Sequence, residues 1–176
     1  MNSVASILVG VTNRAVHVKV EGKGSFQNSP ALKEFLKEML DRGHHLFVID
    51  LDHCPVMDST FMGTLAGLAL RLRENGKGCL LVSNVNERNY DLLRNLGLNN
   101  LFDIEPKVTH PVDNAGLMKE GVNSAPLEPD HPIDRSDQAE CMIEAHEALV
   151  NADPENLARF KDVLEYLKQD LRAASK

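Results

Sequence analysis

The sequence predicts an α/β fold, a mixed β-sheet with crossover helices followed by a C-terminal helical hairpin, and three features carry that prediction. Short apolar runs alternate with longer segments whose apolar residues recur every three or four positions, the two periods of strand and helix. Near residue 105 these periodic segments give way to a proline-rich stretch. Beyond it, two more segments of helical period complete the 176 residues.

Taken in order, Ile7-Leu8-Val9-Gly10-Val11 and Ala15-Val16-His17-Val18-Lys19-Val20 predict two strands joined by a turn at Thr12-Asn13-Arg14. A loop with Gly22 and Gly24 follows. A helix starts at Asn28-Ser29-Pro30, with Ser29 expected as cap, Pro30 in the first turn, and Leu32, Phe35, Leu36 and Leu40 on the apolar face. Leu46-Phe47-Val48-Ile49, between Gly43 and Pro55, reads as a buried strand. The next helix spans about 59–75. Leu65, Leu68 and Leu72 are its apolar positions, Asp58 or Ser59 its N-cap, and Asn75-Gly76 its stop. Cys79-Leu80-Leu81-Val82 is another strand, 86–96 a helix with Leu92, Leu93 and Leu96 apolar, and Leu101-Phe102-Asp103-Ile104 a last short strand. The order β-β-α-β-α-β-α-β implies crossovers and a sheet that is largely parallel in its later part.

This first unit is assigned to residues 1–105 and a linker to 106–136, a region carrying five of the eight prolines and no sustained apolar period. Residues 137–176 form the expected hairpin. Its first helix places Met142, His146, Leu149 and Val150 on one side. Its second is expected to start with Asp153 as cap and Pro154 in the first turn, and it repeats Leu157, Phe160, Leu164, Leu167 and Leu171 as a narrow seam. A hairpin this small cannot easily bury its own core. The seam therefore needs a surface: the preceding helix, the sheet domain, or a second copy of the chain in a homodimer through the C-terminal helices.

Composition narrows the function classes. At 43% hydrophobic and 26% charged, the chain has enough apolar material for one full core. A net charge of -7, with 19 scattered basic residues, argues against nucleic acid as a partner. The absence of tryptophan and an aromatic content of 5% give no support to a base-stacking platform. No apolar stretch reaches the roughly 20 residues needed to span a bilayer, and Met1-Asn2-Ser3-Val4 does not open a signal peptide, so no membrane insertion and a cytoplasmic location are expected. Cys54, Cys79 and Cys141 form no CxxC, leave an odd thiol, and are expected to be small packing residues in a reducing compartment.

The stretch that invites a function is Val56-Met57-Asp58-Ser59-Thr60-Phe61-Met62-Gly63-Thr64-Leu65, at a strand-to-helix junction. On residue chemistry alone Asp58 or Ser59 caps a helix. The same helix N-terminus would also stabilise a phosphate on Ser59, through its free N–H groups and the positive end of its dipole.

Asp50-Leu51-Asp52, Val56-Met57-Asp58-Ser59-Thr60 with Gly63, Gly78-Cys79-Leu80-Leu81-Val82, Leu92-Leu93, Leu96-Gly97-Leu98 and Leu101-Phe102 together resemble the STAS domain of anti-sigma factor antagonists, over about residues 5–105. The resemblance implies a STAS-like mixed sheet and a regulatory adaptor with no catalysis of its own. It implies that Ser59, with Thr60 as the alternative, accepts a phosphate. An anti-sigma factor with a histidine-kinase-like ATP fold would bind the unmodified protein, phosphorylate it and release it, and a phosphatase would reverse the mark. Asp58, Ser59, Thr60, Phe61 and Met62 would form the partner-binding segment.

The sequence departs from the family pattern at Phe61, where glycine is usual, and at Met62, where leucine or isoleucine is common. Phe61 either packs inward or widens the apolar surface facing a partner. Gly63 is retained and is expected to allow close packing of the helix on the sheet. The C-terminal hairpin has no counterpart in the minimal family domain.

Two other classes compete. One is a STAS accessory subunit of a lipid-type transport ATPase, in which the same loop and helix contact the partner without phosphorylation. The other is a small serine hydrolase drawing on His53, Asp58 and Ser59, although the G-x-S-x-G elbow is missing. His44, His45, His53 and Cys54 share no recognised metal-ligand spacing, and Gly22-Lys23-Gly24 is too short for a nucleotide fingerprint, so neither a metal nor a cofactor is expected.

Overall fold

The structure is a computed structural model that describes residues 5–107 and 123–175. A six-stranded sheet forms its centre. The strands are β1 (Ser6–Val11), β2 (Val16–Glu21), β3 (Leu46–His53), β4 (Cys79–Val85), β5 (Asp103–Pro106) and β6 (Ala125–Pro126), in the spatial order β5-β4-β3-β2-β1-β6. β1 runs antiparallel to β2 and to β6, while β2, β3, β4 and β5 pair in parallel. Each parallel step needs a crossover, and the helices supply them: α1 (Ser29–Asp41), α2 (Ser59–Glu74) and α3 (Glu87–Asn95). The hairpin follows as α4 (Arg135–Ala152) and α5 (Asn156–Ala174).

Alternation along the strands sets the core. The register aligns Val16, Phe47 and Leu80 in one row and Val18, Ile49 and Val82 in the next. All six are buried on the same face of the sheet. Leu32 and Leu36 of α1 and Leu65, Leu68 and Leu72 of α2 join them in one apolar cluster, which also includes Ala148 and Leu149 of α4. The hairpin is thus tied into the main core through α4. A second, smaller cluster of Ile143, Leu164 and Leu167 holds α5 against α4. Of the three surfaces open to the seam, the preceding helix takes Leu164 and Leu167, while Leu157 stays half exposed.

Several local expectations shift. Ser29 is the first helical residue, not the cap, because its buried hydroxyl donates back to the Ser25 carbonyl (2.7 Å). Asn28 takes the cap position and uses its side chain on the preceding loop, at Ser25 N and Lys23 O. The last parallel strand begins at Asp103, since residues 98–100 wind into a 3-10 turn. Asp153 ends α4; its carboxylate accepts from Glu155 N (3.0 Å) in a turn that holds Pro154, so α5 starts only at Asn156. Cys79 is exposed rather than packed, whereas Cys54 and Cys141 are buried. Within the expected linker, Leu8 and Val9 pair with Pro126 and Ala125, which adds a short edge strand. Residues 108–122 of that linker lie outside the described residues.

Candidate functional site: the start of α2 and its cover

Asp58 organises the start of α2. Its backbone is extended, and its Oδ1 accepts from Phe61 N (2.9 Å), satisfying one of the unpaired donors of the first turn. The other oxygen, Oδ2, accepts from Phe26 N (2.9 Å). One carboxylate therefore pins the 22–28 loop to the helix start. Backbone bonds from Gly24 N to Val56 O (3.1 Å) and from Asp58 N to Gly24 O (2.9 Å) complete the join.

Phe61 settles its two alternatives inward. Its side chain is fully buried and lies over Gly24, where an added Cβ would stand 2.8 Å from the ring. The bulky residue in α2 and the bare backbone of the loop are thus complementary. Thr60 and Met62 are also buried, at 3% and 4% exposure, while Asp58 and Ser59 are intermediate.

Ser59 is the first residue of α2, and its side chain is only partly exposed. Its Oγ lies 2.9 Å from Nε2 of His146 on α4. The other ring nitrogen, Nδ1, is 2.6 Å from the Met142 carbonyl, which can only accept. Nδ1 therefore carries a proton, and in the neutral ring Nε2 accepts the Ser59 hydroxyl hydrogen. His146 is 4% exposed and its ring stands 5.0 Å, centroid to centroid, from Phe160 of α5 at a tilt of 58°. Both hairpin helices thereby support the residue that meets Ser59.

The remainder of the α2–α4 contact is built from small residues. A Cβ on Gly63 would overlap the backbone carbonyl of Ala145, so this glycine admits α4 and not, as expected from sequence, the sheet. One turn on, Gly67 faces Ala148 with room for a methyl group (3.8 Å). Lys33 of α1 pairs with Glu144 (2.7 Å) along the edge. The Asn156 side chain donates to the Leu96 carbonyl (3.0 Å) and to Leu149 (2.8 Å), anchoring the hairpin turn beyond α3. Cys141 is buried in the same contact, and that burial pushes its thiol up to about 11, against the opposing pull of Lys33 and Thr64.

The hydrolase constellation does not assemble from the residues that suggested it. The His53 ring lies 3.8 Å from Asp52, and both Asp58 oxygens are occupied by backbone N–H groups. The histidine that reaches Ser59 is His146, which the sequence placed only on an apolar helix side. Its second nitrogen meets a carbonyl in place of an acid. The cavity bordering this contact holds about 60 Å³ and is walled by residues such as Lys33, Leu36, Thr64 and Cys141, with Ser59 not among them. Among the described residues no group of three or more His, Cys, Asp or Glu could hold a metal ion, and no helix is long and apolar enough to cross a membrane.

A parallel-cored mixed sheet, entered by an antiparallel hairpin and presenting a capped helix start beside β3, defines the class of small α/β domain to which this unit conforms. The chain belongs to the STAS domain family, whose family model matches residues 6–110. Among solved structures, a candidate anti-sigma factor antagonist of Thermotoga maritima superposes with a TM-score of 0.52 at 17% identity, over 57% of this chain and 86% of that one. The anti-sigma factor antagonist SpoIIAA in its unphosphorylated form gives 0.48 at 17%, over 60% and 90%. A sulfate transporter family protein from Wolinella succinogenes gives 0.45 at 23%, over 56% and 81%. None of the curated proteins matches the sequence.

Proposed function

We propose that this chain is a phosphorylation-switched regulatory adaptor of the anti-sigma factor antagonist kind, which binds a kinase-type anti-sigma factor when Ser59 is unmodified. The observation that carries the reading is the position of Ser59 as the first residue of α2, directly after the aspartate that caps it. A phosphate there adds roughly -1.5 to -2 charges at pH 7. The helix dipole compensates part of that charge within the domain, so the helix survives. A partner pressed against the same spot loses contacts and must desolvate the new charge, a cost of a few kcal/mol that switches binding off. Family membership and the Thermotoga maritima likeness in fold are consistent with this role.

Purification of the full chain from its native cell under phosphatase inhibition, with peptide mapping of Ser59 and Thr60, tests the reading. The expected result is a phosphate on Ser59 and recovery of a protein with a histidine-kinase-like ATP fold by the unmodified form only. Recovery of a transport ATPase with both hydroxyls unmodified would move the assignment to the accessory-subunit class. Labelling of Ser59 by a reactive serine probe would move it to a hydrolase.

A further inference from the structure

We propose that α4 is an intramolecular ligand of the Ser59 face of α2, and that its docking and a phosphate on Ser59 exclude one another. This deepens the switch reading and rests on it for its biological use. The geometric argument is local. The 2.9 Å between Ser59 Oγ and His146 Nε2 accommodates a hydrogen, whereas phosphorylation replaces that hydrogen with a phosphorus and three oxygens. In the transfer, Oγ attacks the γ-phosphorus of ATP held by a protein kinase, the bond to the ADP oxygen breaks, and the hydroxyl proton passes to a base of the kinase. The group that arrives cannot fit between Oγ and Nε2 at that distance, so it must displace His146 or break the hydrogen bond.

The α2–α4 contact holds no slack that could take up the new group while the helices stay in place. At Gly63 the α4 backbone already lies flush on α2, leaving no space for even a Cβ. The His146 ring is backed by Phe160 and its Nδ1 is committed to the Met142 carbonyl, so the ring cannot swing aside without losing both contacts. The Asp58 carboxylate adds negative charge directly beside Ser59, while Glu144 is paired with Lys33. Relief comes from separation of the helices. By linkage, whatever factor the phosphate costs α4 docking, α4 docking costs phosphorylation and the approach of any protein to Ser59. The hairpin then acts as an occupant in cis of the surface that a partner must use, held at Ser59 and Gly63 by small-residue packing and the Ser59–His146 hydrogen bond, and further along by Leu149, the Lys33–Glu144 pair and Asn156.

The three cysteines report on this directly, because alkylation requires an accessible thiolate. Cys141 lies inside the α2–α4 contact at 2% exposure, Cys54 is buried in the main core, and Cys79 is exposed. The full chain carrying phosphoserine at position 59, installed by nonsense suppression, is compared with the unmodified chain in iodoacetamide labelling resolved by peptide mass spectrometry. The expected result is at least a tenfold faster reaction at Cys141, with Cys54 still protected and Cys79 equally fast in both. Gly63→Ala, which inserts a methyl group without charge, should free Cys141 in the same selective way.

Protection of Cys141 in the phosphoserine protein would overturn the proposal, since the phosphate would then be accommodated under α4. Simultaneous exposure of Cys54 and Cys141 in the phosphoserine and Gly63→Ala chains would overturn it as well, since α4 would then be part of one cooperative unit. The two readings fail separately. A Ser59 found without phosphate in the native cell removes the switch and leaves the cis contact standing, whereas a protected Cys141 removes the mutual exclusion and leaves the switch standing.

Discussion

The two faces of α2 are sealed by different chemistry. Toward the sheet, Phe61 and Leu65 are completely buried among the strand rows, and Gly24 bares its backbone to let the Phe61 ring in. Toward α4, glycine meets alanine and a serine hydroxyl meets a histidine nitrogen, with Leu149 the large α4 side chain that reaches the main core. Large apolar side chains contribute burial roughly in proportion to the area they remove from water, so the first face is costly to open. Small residues bury little area each, and the Ser59–His146 bond is worth only about 0.5–1.5 kcal/mol net. On the proposal above, one helix thus carries a face that stays closed and a face that separates.

The largest effect expected from this contrast is at Phe61. Phe61→Ala removes a fully buried ring and should lower the unfolding free energy by about 3–5 kcal/mol, read from urea melts followed by circular dichroism. The loss should be global, with Cys54 and Cys141 becoming reactive together. Selective release of Cys141 would break the distinction between the faces.

Gly24→Ala and Gly63→Ala apply the same methyl group to the two faces. At Gly24 the new atom meets a ring locked in the core, and overpacking there should cost about 1–3 kcal/mol of global stability. At Gly63 the obstacle is the Ala145 carbonyl, and alanine gains about 1 kcal/mol of helix propensity over glycine inside α2. The net global effect should therefore be smaller than at Gly24, and faster amide exchange should be confined to α4 and α5. Equal global losses in the two variants would show that α2 has one kind of face.

The coupling within the Ser59–His146 pair should be smaller again. Ser59→Ala leaves a buried Nε2 without its partner, a penalty of about 1–3 kcal/mol. A double-mutant cycle with His146→Ala should return a coupling of about 0.5–1.5 kcal/mol, the second substitution also losing the ring against Phe160. A coupling of zero would mean that the hydrogen bond does not hold α4 in solution.

What was legible in the sequence follows the same division. The strand rows and helix faces could be read because the period of their apolar residues is local, and Asp58 could be read as a cap because its partner is three residues away. Ser59 and Gly63 were visible as residues but not in their contacts. Gly63 was assigned to the sheet because nothing in the chain says that residue 145 comes to rest on it. His146 shared a helix side with Met142 and Leu149, and nothing in that pattern points to a serine 87 positions earlier. A seam of small residues carries no periodic apolar signal at all, so the cover over α2 is the part of the molecule that a single sequence conceals most completely.

A third contact belongs to neither face of α2 and gives the smallest effect. Asp52, near the end of β3, accepts from Lys107 Nζ at 2.7 Å, just beyond β5. The Lys107 hydrogen bond holds the Asp52 carboxyl below its usual 3.8, partial burial pulls it the other way, and the charges of Lys107, His53 and Lys19 assist the lowering. Because the folded value lies below the unfolded one, this contribution is fully present above about pH 4 and is lost as pH falls through the folded value. Both side chains are partly solvated, which limits the pair to about 0.2–1 kcal/mol, less at high salt. Lys107→Ala should raise the Asp52 titration seen by carboxyl-carbon NMR, cost no more than about 1 kcal/mol near neutral pH, and cost nothing once the carboxyl is protonated. It should also leave the Cys141 labelling rate unchanged. A Lys107→Ala chain in which Cys141 reacts faster would show that the hairpin senses the sheet edge as well as Ser59, and the separable face would then extend through β3.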